Sequence, residues 1–178
     1  CEVLPNGVDS QIFPVTESVD KPALHDPVTV GFVGSFEYFI DFDLILQAAN
    51  RLPEVRFLLV GDGREFDRVE HLVDVWGIDN VELPGLVDSE DVPEYIEQMD
   101  ICLNTFKKSR VAHSAVPLKL FEYLSMARPV VSTSIREVKR IDSDYLYYAD
   151  SSEELAARIE SIVSDYEAAV SRSLEARE

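Results

Sequence analysis

The strongest constraint on this fold is a series of short apolar runs that lack polar alternation, each followed by a segment with helical spacing. The clearest runs are Val28 to Gly34 (VTVGFVG) and Val55 to Val60 (VRFLLV). A strand without alternation is covered on both faces, as in a parallel sheet packed between helices. Between the two runs, apolar residues from Leu44 to Leu52 recur at the spacing of a buried helix face. The chain is therefore predicted to alternate strands with helices.

The same order continues towards the C-terminus. Beyond the two runs, the predicted strands are Asn80 to Leu83, Asp100 to Thr105, Pro129 to Ser132 and Tyr145 to Tyr148. The predicted helices begin at Asp41 or Asp43, Glu65, Ser89, Pro117 and Glu153, and end near Leu52, Trp76, Gln98, Ala127 and Arg172. Right-handed crossovers then give an α/β, Rossmann-like, doubly wound and mainly parallel six-stranded sheet with helices on both faces.

The length of 178 residues suits a single domain. We expect residues 1–27 to be a hinge or entry segment and residues 151–178 to hold the terminal helix. The chain opens with Cys1 where an initiator Met would stand, so we expect it to be a piece of a longer polypeptide. No apolar run reaches the roughly 18–20 residues that span a bilayer.

The composition is strongly acidic. The chain has 34 Asp and Glu against 16 Lys and Arg, for a formal net charge of -18. Nucleic acids and anionic lipids bind where Lys and Arg displace counterions, so neither is an expected partner of the surface as a whole. The balance fits either a protein kept soluble in high salt or an ordinary acidic cytosolic protein.

No cofactor or metal is predicted. Cys1 and Cys102 fit no metal-ligand or redox spacing. His25, His71 and His113 are isolated, and the carboxylates show no clustered ligand spacing.

Ligands of doubly wound sheets bind beyond the carboxyl ends of the strands, so the loops there are the candidate site. Gly34-Ser35 follows the first strand, and its main-chain N–H groups suit an anion or a plain tight turn equally well. Gly61-Asp62-Gly63 follows the second strand and fits a structural turn with positive φ best. Leu86-Val87 follows the third strand and either reads a base edge through its main chain or completes a turn.

The loop after the fourth strand carries most of the chemistry. Lys107, Lys108 and Arg110 form a dense basic stretch in an acidic chain. A helix that begins near Pro117 directs free N–H groups and its positive dipole end to the same place, which suits a phosphate. Lys119 lies in the first turn of that helix, where a cation is unfavourable to the dipole and favours an anionic partner.

Glu122 lies three residues after Lys119, one turn deeper in the same predicted helix. A carboxylate at this position is placed to accept two hydrogen bonds from vicinal hydroxyls. An exposed ion pair between Lys119 and Glu122, worth about a few tenths of a kcal/mol, explains the same spacing. Both interpretations stay open on the spacing alone.

Several motifs resemble, in order and spacing, the C-terminal, donor-binding half of two-domain GT-B glycosyltransferases of the retaining family 4 type. The motifs are LPNGVDSQIF, GFVGS, LLVGDG, VELPGLV and PLKLFEYLSMARPVVST. The resemblance runs from about Leu4 to Ser134. It implies a domain that binds a nucleotide-diphosphate-sugar, within a hexosyltransferase that acts on a glycan or lipid-linked acceptor. It also implies an N-terminal acceptor domain that this chain lacks.

The resemblance assigns roles to individual residues. Glu122 would correspond to the family glutamate that holds the ribose hydroxyls of the nucleotide. Lys119 and the N–H groups near Pro117 and Leu118 would face the diphosphate.

The other implied contacts come from two earlier loops. Gly34 and Ser35 would approach the phosphates, and Leu86 and Val87 would lie beside the base. Many family members place an Arg and a Lys in the first of these loops as diphosphate ligands, and this chain has neither there.

A second departure is Ser114, which stands where the family commonly has a glutamate that contacts the donor sugar. The departures leave a second function open, a non-catalytic nucleotide-binding or protein-interaction domain of GT-B descent. A phospho-receiver domain is disfavoured because Gly34-Ser35, Pro84-Gly85 and Ser132-Thr133 stand where its Asp and Lys residues would be. A dehydrogenase is disfavoured because the G-x-G-x-x-G fingerprint is missing.

The expected partners are a nucleotide sugar and the missing N-terminal domain. Any peripheral association of the protein with a membrane would come through that domain. The expected location is the cytoplasm. Because the acceptor site belongs to the other domain, these 178 residues alone are expected to transfer no sugar.

Overall fold

The computed structural model describes residues 22–109, 118–140 and 145–176. Within these ranges, six strands form one sheet in the order β3-β2-β1-β4-β5-β6. Every pairing between neighbouring strands in this sheet is parallel. The predicted Rossmann-like, doubly wound α/β sheet is therefore confirmed.

Strands and helices alternate along the chain as the sequence predicts. The strands are β1 (Thr29–Val33), β2 (Arg56–Val60), β3 (Val81–Gly85), β4 (Ile101–Asn104), β5 (Val130–Ser132) and β6 (Leu146–Tyr148). The α-helices are α1 (Phe42–Arg51), α2 (Phe66–Trp76), α3 (Val92–Glu97), α4 (Leu118–Ser125), α5 (Ser152–Ser164) and α6 (Tyr166–Glu175). A 3-10 turn spans Val138–Arg140.

Burial of the strands follows their place in the sheet. All five residues of β1 are buried, because β2 and β4 flank it and both of its faces are covered. The edge strand β3 instead alternates between exposed and half-buried residues. The lack of polar alternation in Val28 to Gly34 thus correctly predicted a strand that is covered on both faces. Among the described residues, no helix combines the length and apolar character needed to cross a membrane.

Local capping explains where two of the helices begin or end. Asp41, one of the two predicted caps of α1, accepts a hydrogen bond from the N–H of Leu44 at 3.2 Å. Gly77 ends α2 in a left-handed conformation with φ 62°.

Two predicted helices differ from the structure. The prediction of one terminal helix, in residues 151–178, was wrong, because α5 and α6 are separated by a break at Asp165 with φ -140° and ψ 56°. The break directs Tyr166 into the protein, where its hydroxyl donates to the carbonyl of Asp100 at 3.3 Å. Ser89 was also wrong as a helix cap, since α3 begins at Val92 after a turn.

The loops after β1 and β2 pack main chain against main chain. The N–H of Gly34 donates to the carbonyl of Val60 at 3.0 Å, and the N–H of Phe36 donates to the carbonyl of Asp62 at 2.9 Å. Gly61 has φ 131°, and a Cβ atom added to it would lie 1.9 Å from the carbonyl oxygen of Gly34. Only glycine allows this approach.

Replacing Gly61 with alanine is therefore expected to destabilise the fold by about 2–4 kcal/mol, from backbone strain and overpacking together. Gly77→Ala is the matched control: its φ is also positive, but nothing lies within 4 Å of the added Cβ. The control should lose only about 1–2 kcal/mol. Urea unfolding of both variants measures the difference. Equal losses would show that contact with the loop of Gly34 is not what constrains Gly61.

Candidate functional site

A cleft lies at the carboxyl edge of the sheet, beside the point where strand order reverses between β1 and β4. It is open to solvent, with a volume of about 230 Å³. Four chain segments contribute to it: the loops after β1, β2 and β3 with the start of α3, and the first turn of α4. The lining residues are Gly34, Ser35, Gly61, Asp62, Leu86, Val87, Ser89, Val92 and Lys119.

The cleft changes in character along its length. At the β3 end, Leu86 is the most exposed apolar side chain among those described, at 79%, and it lies with Val87 and Val92. At the other end, Lys119 of α4 approaches the glycine loop of β1, where a Cβ added to Gly34 would lie 3.6 Å from the Cε of Lys119. The cleft therefore has an apolar end and a cationic end.

Lys119 and Glu122 form an ion pair on α4. The Lys119 Nζ donates to the Glu122 Oε2 at 3.0 Å, with side-chain exposures of 35% and 16%. The i,i+3 pair considered from the spacing is thus present, but it is part-buried beside the cleft rather than fully exposed. Lys119 lies near the glycine loop after β1, and Glu122 is held to it by the ion pair.

Tyr123, the next residue of α4, fixes this helix to β1. Its ring is fully buried, and its hydroxyl accepts a hydrogen bond from the N–H of Val33 at 2.9 Å. The same hydroxyl donates to the carbonyl of Val33 at 3.2 Å. Burial raises the pKa of this phenol well above its ordinary value, so the hydroxyl remains protonated and performs both functions.

The structure brings together most of the predicted site residues that it describes. Gly34, Ser35, Leu86, Val87 and Lys119 line one cleft, and Glu122 is bonded to Lys119.

The other predicted residues are placed differently. Leu118 begins α4 with a half-exposed side chain and is not a lining residue of the cleft. Ser114 and Pro117 lie outside the described residues, as do Arg110 and His113. Their proposed roles stay predictions.

Sequence reasoning missed four lining residues, Gly61, Asp62, Ser89 and Val92. The interpretation of Gly61 as a structural glycine agrees with its contact to the Gly34 carbonyl. That same contact draws the loop after β2 into the wall of the cleft. Gly61 and Asp62 directly follow β2, the neighbour of β1, while Ser89 lies in the loop after β3 and Val92 begins α3. Their place beyond the carboxyl ends of the strands was the available signal.

The basic stretch after β4 is partly committed to contacts within the protein. Lys108 Nζ lies 2.8 Å from the Oδ2 of Asp150. The Oδ1 of the same carboxylate accepts a hydrogen bond from the N–H of Ser134 at 2.9 Å. Partial burial by itself raises the pKa of Asp150, but hydrogen bonds from Lys108 and Ser134 outweigh it and leave that pKa below the ordinary value. Lys108 is therefore held away from the role of a free cation.

The main chain of the same stretch is held from two other sides. The N–H of Lys107 donates to the carbonyl of Phe39 at 2.8 Å, and the N–H of Phe106 donates to Thr133 Oγ1 at 2.8 Å. The segment that leaves β4 is therefore bonded to the loops after β1 and β5.

Comparison with known proteins gives a family match over most of the chain. Residues 27–165 match the family model described as glycosyl transferases group 1. The chain is 31% identical over 145 residues to a putative teichuronic acid biosynthesis glycosyltransferase, TuaH, of Bacillus subtilis. This match covers 80% of the chain and 36% of that relative, so the chain spans about a third of its length.

Solved structures with the same fold include domains of glycosyltransferases. The C-terminal domain of the group 1 glycosyl transferase LpcC from Francisella tularensis matches with a TM-score of 0.73 and 19% identity, covering 96% of this chain and 95% of that one. Anabaena Alr3699/HepE, solved in complex with UDP and glucose, matches with a TM-score of 0.76 and 18% identity, covering 99% of this chain and 50% of that one. At these identities the likeness establishes the fold.

The bonds of Asp150 generate a pH prediction. Because its pKa is lowered in the folded state, Asp150 stabilises the fold above the unfolded pKa of about 3.9, and this contribution is lost as the pH falls through the lowered value. Asp150→Asn should therefore cost up to about 1 kcal/mol at neutral pH, and the difference from wild type should shrink in acid. Urea unfolding between pH 7 and pH 3 measures it. A difference that is constant with pH would contradict the ionic role.

Proposed function

The chain belongs to the glycosyl transferases group 1 family, and from this premise we propose that it is the nucleotide-diphosphate-sugar-binding domain of a GT-B glycosyltransferase of the retaining type. The transferred group would be a hexose-type sugar and the acceptor a glycan or a lipid-linked saccharide. The observation that carries the proposal is the placement of Lys119 on the first turn of α4, close to the glycine loop at the carboxyl end of β1, with Glu122 bonded to it from three residues further along the helix.

The diphosphate would lie at the cationic end of the cleft. Gly34 presents no side chain there, so an anion is able to approach the main chain of Ser35, whereas the N–H of Gly34 is already bonded to the carbonyl of Val60. Lys119 supplies a positive charge from the opposite wall. The Lys119 side chain is 35% exposed beside a solvent-open cleft, so its Nζ is able to exchange the Glu122 carboxylate for a phosphate oxygen, which is also an anionic partner.

Glu122 would bind the ribose. Its carboxylate is mostly buried and has Lys119 as its side-chain partner. When Lys119 turns to the phosphates, the Glu122 oxygens become acceptors for the two vicinal hydroxyls of the ribose. The ion pair of the ligand-free protein therefore holds both side chains close to their binding positions.

The base would lie at the apolar end, beside Leu86 and Val87. The exposure of Leu86 supports this assignment, because an apolar side chain open to solvent gains from being covered by a planar base. The cleft volume of about 230 Å³ is below the range of about 300–1,000 Å³ that is common for ligand pockets. We infer that the cleft accommodates part of the donor and that the sugar projects out of it.

Charge neutralisation on the donor would come from Lys119, the start of α4 and the basic residues before it, with no metal ion required. Lys107 and Arg110 are the candidates to assist, because Lys108 is bonded to Asp150. The UDP and glucose in the Anabaena structure support a nucleotide sugar as the ligand class for this fold. A cytoplasmic location, with membrane contact through another domain, is part of the same proposal and rests on the family resemblance.

The first test is Glu122→Ala, assayed by calorimetry with uridine and guanosine diphosphates. We expect binding to weaken by about 1.5–3 kcal/mol, the range for hydrogen bonds to a charged group, while the melting temperature changes little. The matched control is Glu137→Ala, which removes another i,i+3 ion pair, with Arg140 at 2.8 Å, from outside the cleft lining. Glu137→Ala should leave affinity unchanged. Unchanged affinity of Glu122→Ala with a sharp loss of stability would make Glu122 a structural residue.

The second test concerns transfer. Holding an acceptor against the anomeric carbon contributes about 7–11 kcal/mol to a reaction, and an open cleft on one domain has no second wall to do this. These 178 residues should therefore bind a donor without transferring sugar, whereas a parent polypeptide that carries an acceptor domain should hydrolyse or transfer from it. Lys119→Ala in that parent should abolish turnover. A parent that binds nucleotide without any turnover would favour the non-catalytic alternative, and turnover by the isolated chain would contradict the two-domain argument.

A further inference from the structure

We infer that Tyr123 is a positioning residue of the donor site, whose hydroxyl sets the distance between α4 and the glycine loop after β1. The inference rests on the proposed donor-binding function. Tyr123 contacts no proposed ligand atom, and it acts through Lys119 and Glu122, which share its helix.

The first step is the hydrogen bonding of β1. Along this strand the main-chain groups alternate in direction: the N–H of Gly34 donates to Val60 of β2, whereas the carbonyl of Thr29 accepts from Asp100 on the β4 side. Val33, an even number of residues from Thr29, therefore directs its N–H and carbonyl to the β4 side. Pairing between β1 and β4 is recorded only for Val30 and Gly31, so β4 does not reach these two groups.

The second step is that the Tyr123 hydroxyl occupies the place that β4 leaves. It accepts from the N–H of Val33 at 2.9 Å and donates to the Val33 carbonyl at 3.2 Å. Buried main-chain groups without a partner cost about 1–3 kcal/mol each, so the fold strongly favours this arrangement. One side chain of α4 thus satisfies both groups at the end of the central strand.

The third step connects this contact to the site. Lys119 and Tyr123 are four residues apart on α4 and so lie on the same face of the helix. Tyr123 is hydrogen-bonded to Val33, and one turn earlier Lys119 lies close to the next residue of the chain, Gly34, with which it lines the cleft. A Cβ at Gly34 would lie 3.6 Å from the Lys119 Cε, at van der Waals distance, so the side chain of Lys119 lies close to the glycine loop.

The hydroxyl therefore determines how α4 sits over the glycine loop. Without it, nothing described on α4 would hold the Val33 main chain, and the helix would be free to shift by the fraction of an ångström to which hydrogen bonds to phosphate and ribose are sensitive. The prediction is a loss of donor affinity that removal of a buried tyrosine hydroxyl outside the site does not produce.

The test is Tyr123→Phe, which keeps the ring and removes only the oxygen. Calorimetry with uridine and guanosine diphosphates is expected to give an affinity about tenfold weaker than wild type, because two hydrogen bonds that hold the binding groups are lost. The matched control is Tyr166→Phe, which removes the hydroxyl of another buried tyrosine, one that bonds to the Asp100 carbonyl before β4. The control should lower the melting temperature and leave affinity unchanged.

A second arm asks whether the effect passes through the site. Tyr123→Phe should cost much less affinity in a Lys119→Ala, Glu122→Ala background than in wild type, because the groups that it positions are absent. If Tyr123→Phe unfolds in buffer, the affinities of wild type, Tyr123→Phe, the double variant and the triple variant are all measured in sucrose, which favours the folded state.

The outcomes separate the inference from the function on which it rests. Wild-type protein that binds neither nucleotide would contradict the proposed function. Wild-type binding with equal affinities for Tyr123→Phe and wild type would overturn the positioning role alone. Equal affinity losses for Tyr123→Phe and Tyr166→Phe would also overturn it, because both would then reflect general destabilisation.

Discussion

The structure depends on how the central strand ends. β1 pairs with β2 along its whole length but with β4 only over its middle, so the Val33 main chain needs a partner that is not a strand. The Tyr123 hydroxyl supplies both hydrogen bonds, and this draws α4 to the carboxyl end of β1. The gap between diverging strands, which is where doubly wound sheets bind ligands, is thereby lined by a helix that carries Lys119 and Glu122. The same contact thus contributes to the fold and sets the geometry of the candidate site.

Glycine completes the site from the other side. Gly61 allows the loop after β2 to pack its main chain against the Gly34 carbonyl, and Gly34 lies with Lys119 in the lining of the cleft. The result is a shallow cleft with main chain on its floor, a cation at one end and apolar side chains at the other. Such a surface would suit the planar base and the anionic diphosphate of the ligand that we propose.

The sequence predicted the buried strands well because burial on both faces leaves a simple signature, and the apolar runs of Val28 to Gly34 and Val55 to Val60 contain β1 and β2. It also predicted that residues distant in sequence, such as Gly34, Leu86 and Lys119, meet at one edge, since that follows from parallel strands. The break at Asp165 was not predictable from periodicity, because the apolar spacing continues through it without Gly or Pro. The anchoring of Tyr123 and of Lys108 was equally hidden, since both depend on partners, Val33 and Asp150, that only the folded chain brings near.

The most direct test of this account is a crystal structure of the chain with uridine or guanosine diphosphate bound. The account predicts that Lys119 Nζ leaves Glu122 for a phosphate oxygen and that both Glu122 oxygens accept from the ribose hydroxyls. The hydrogen bonds between Tyr123 and Val33 should be unchanged. A nucleotide bound away from the loop of Gly34, or one bound there with the ion pair of Lys119 and Glu122 intact, would contradict it.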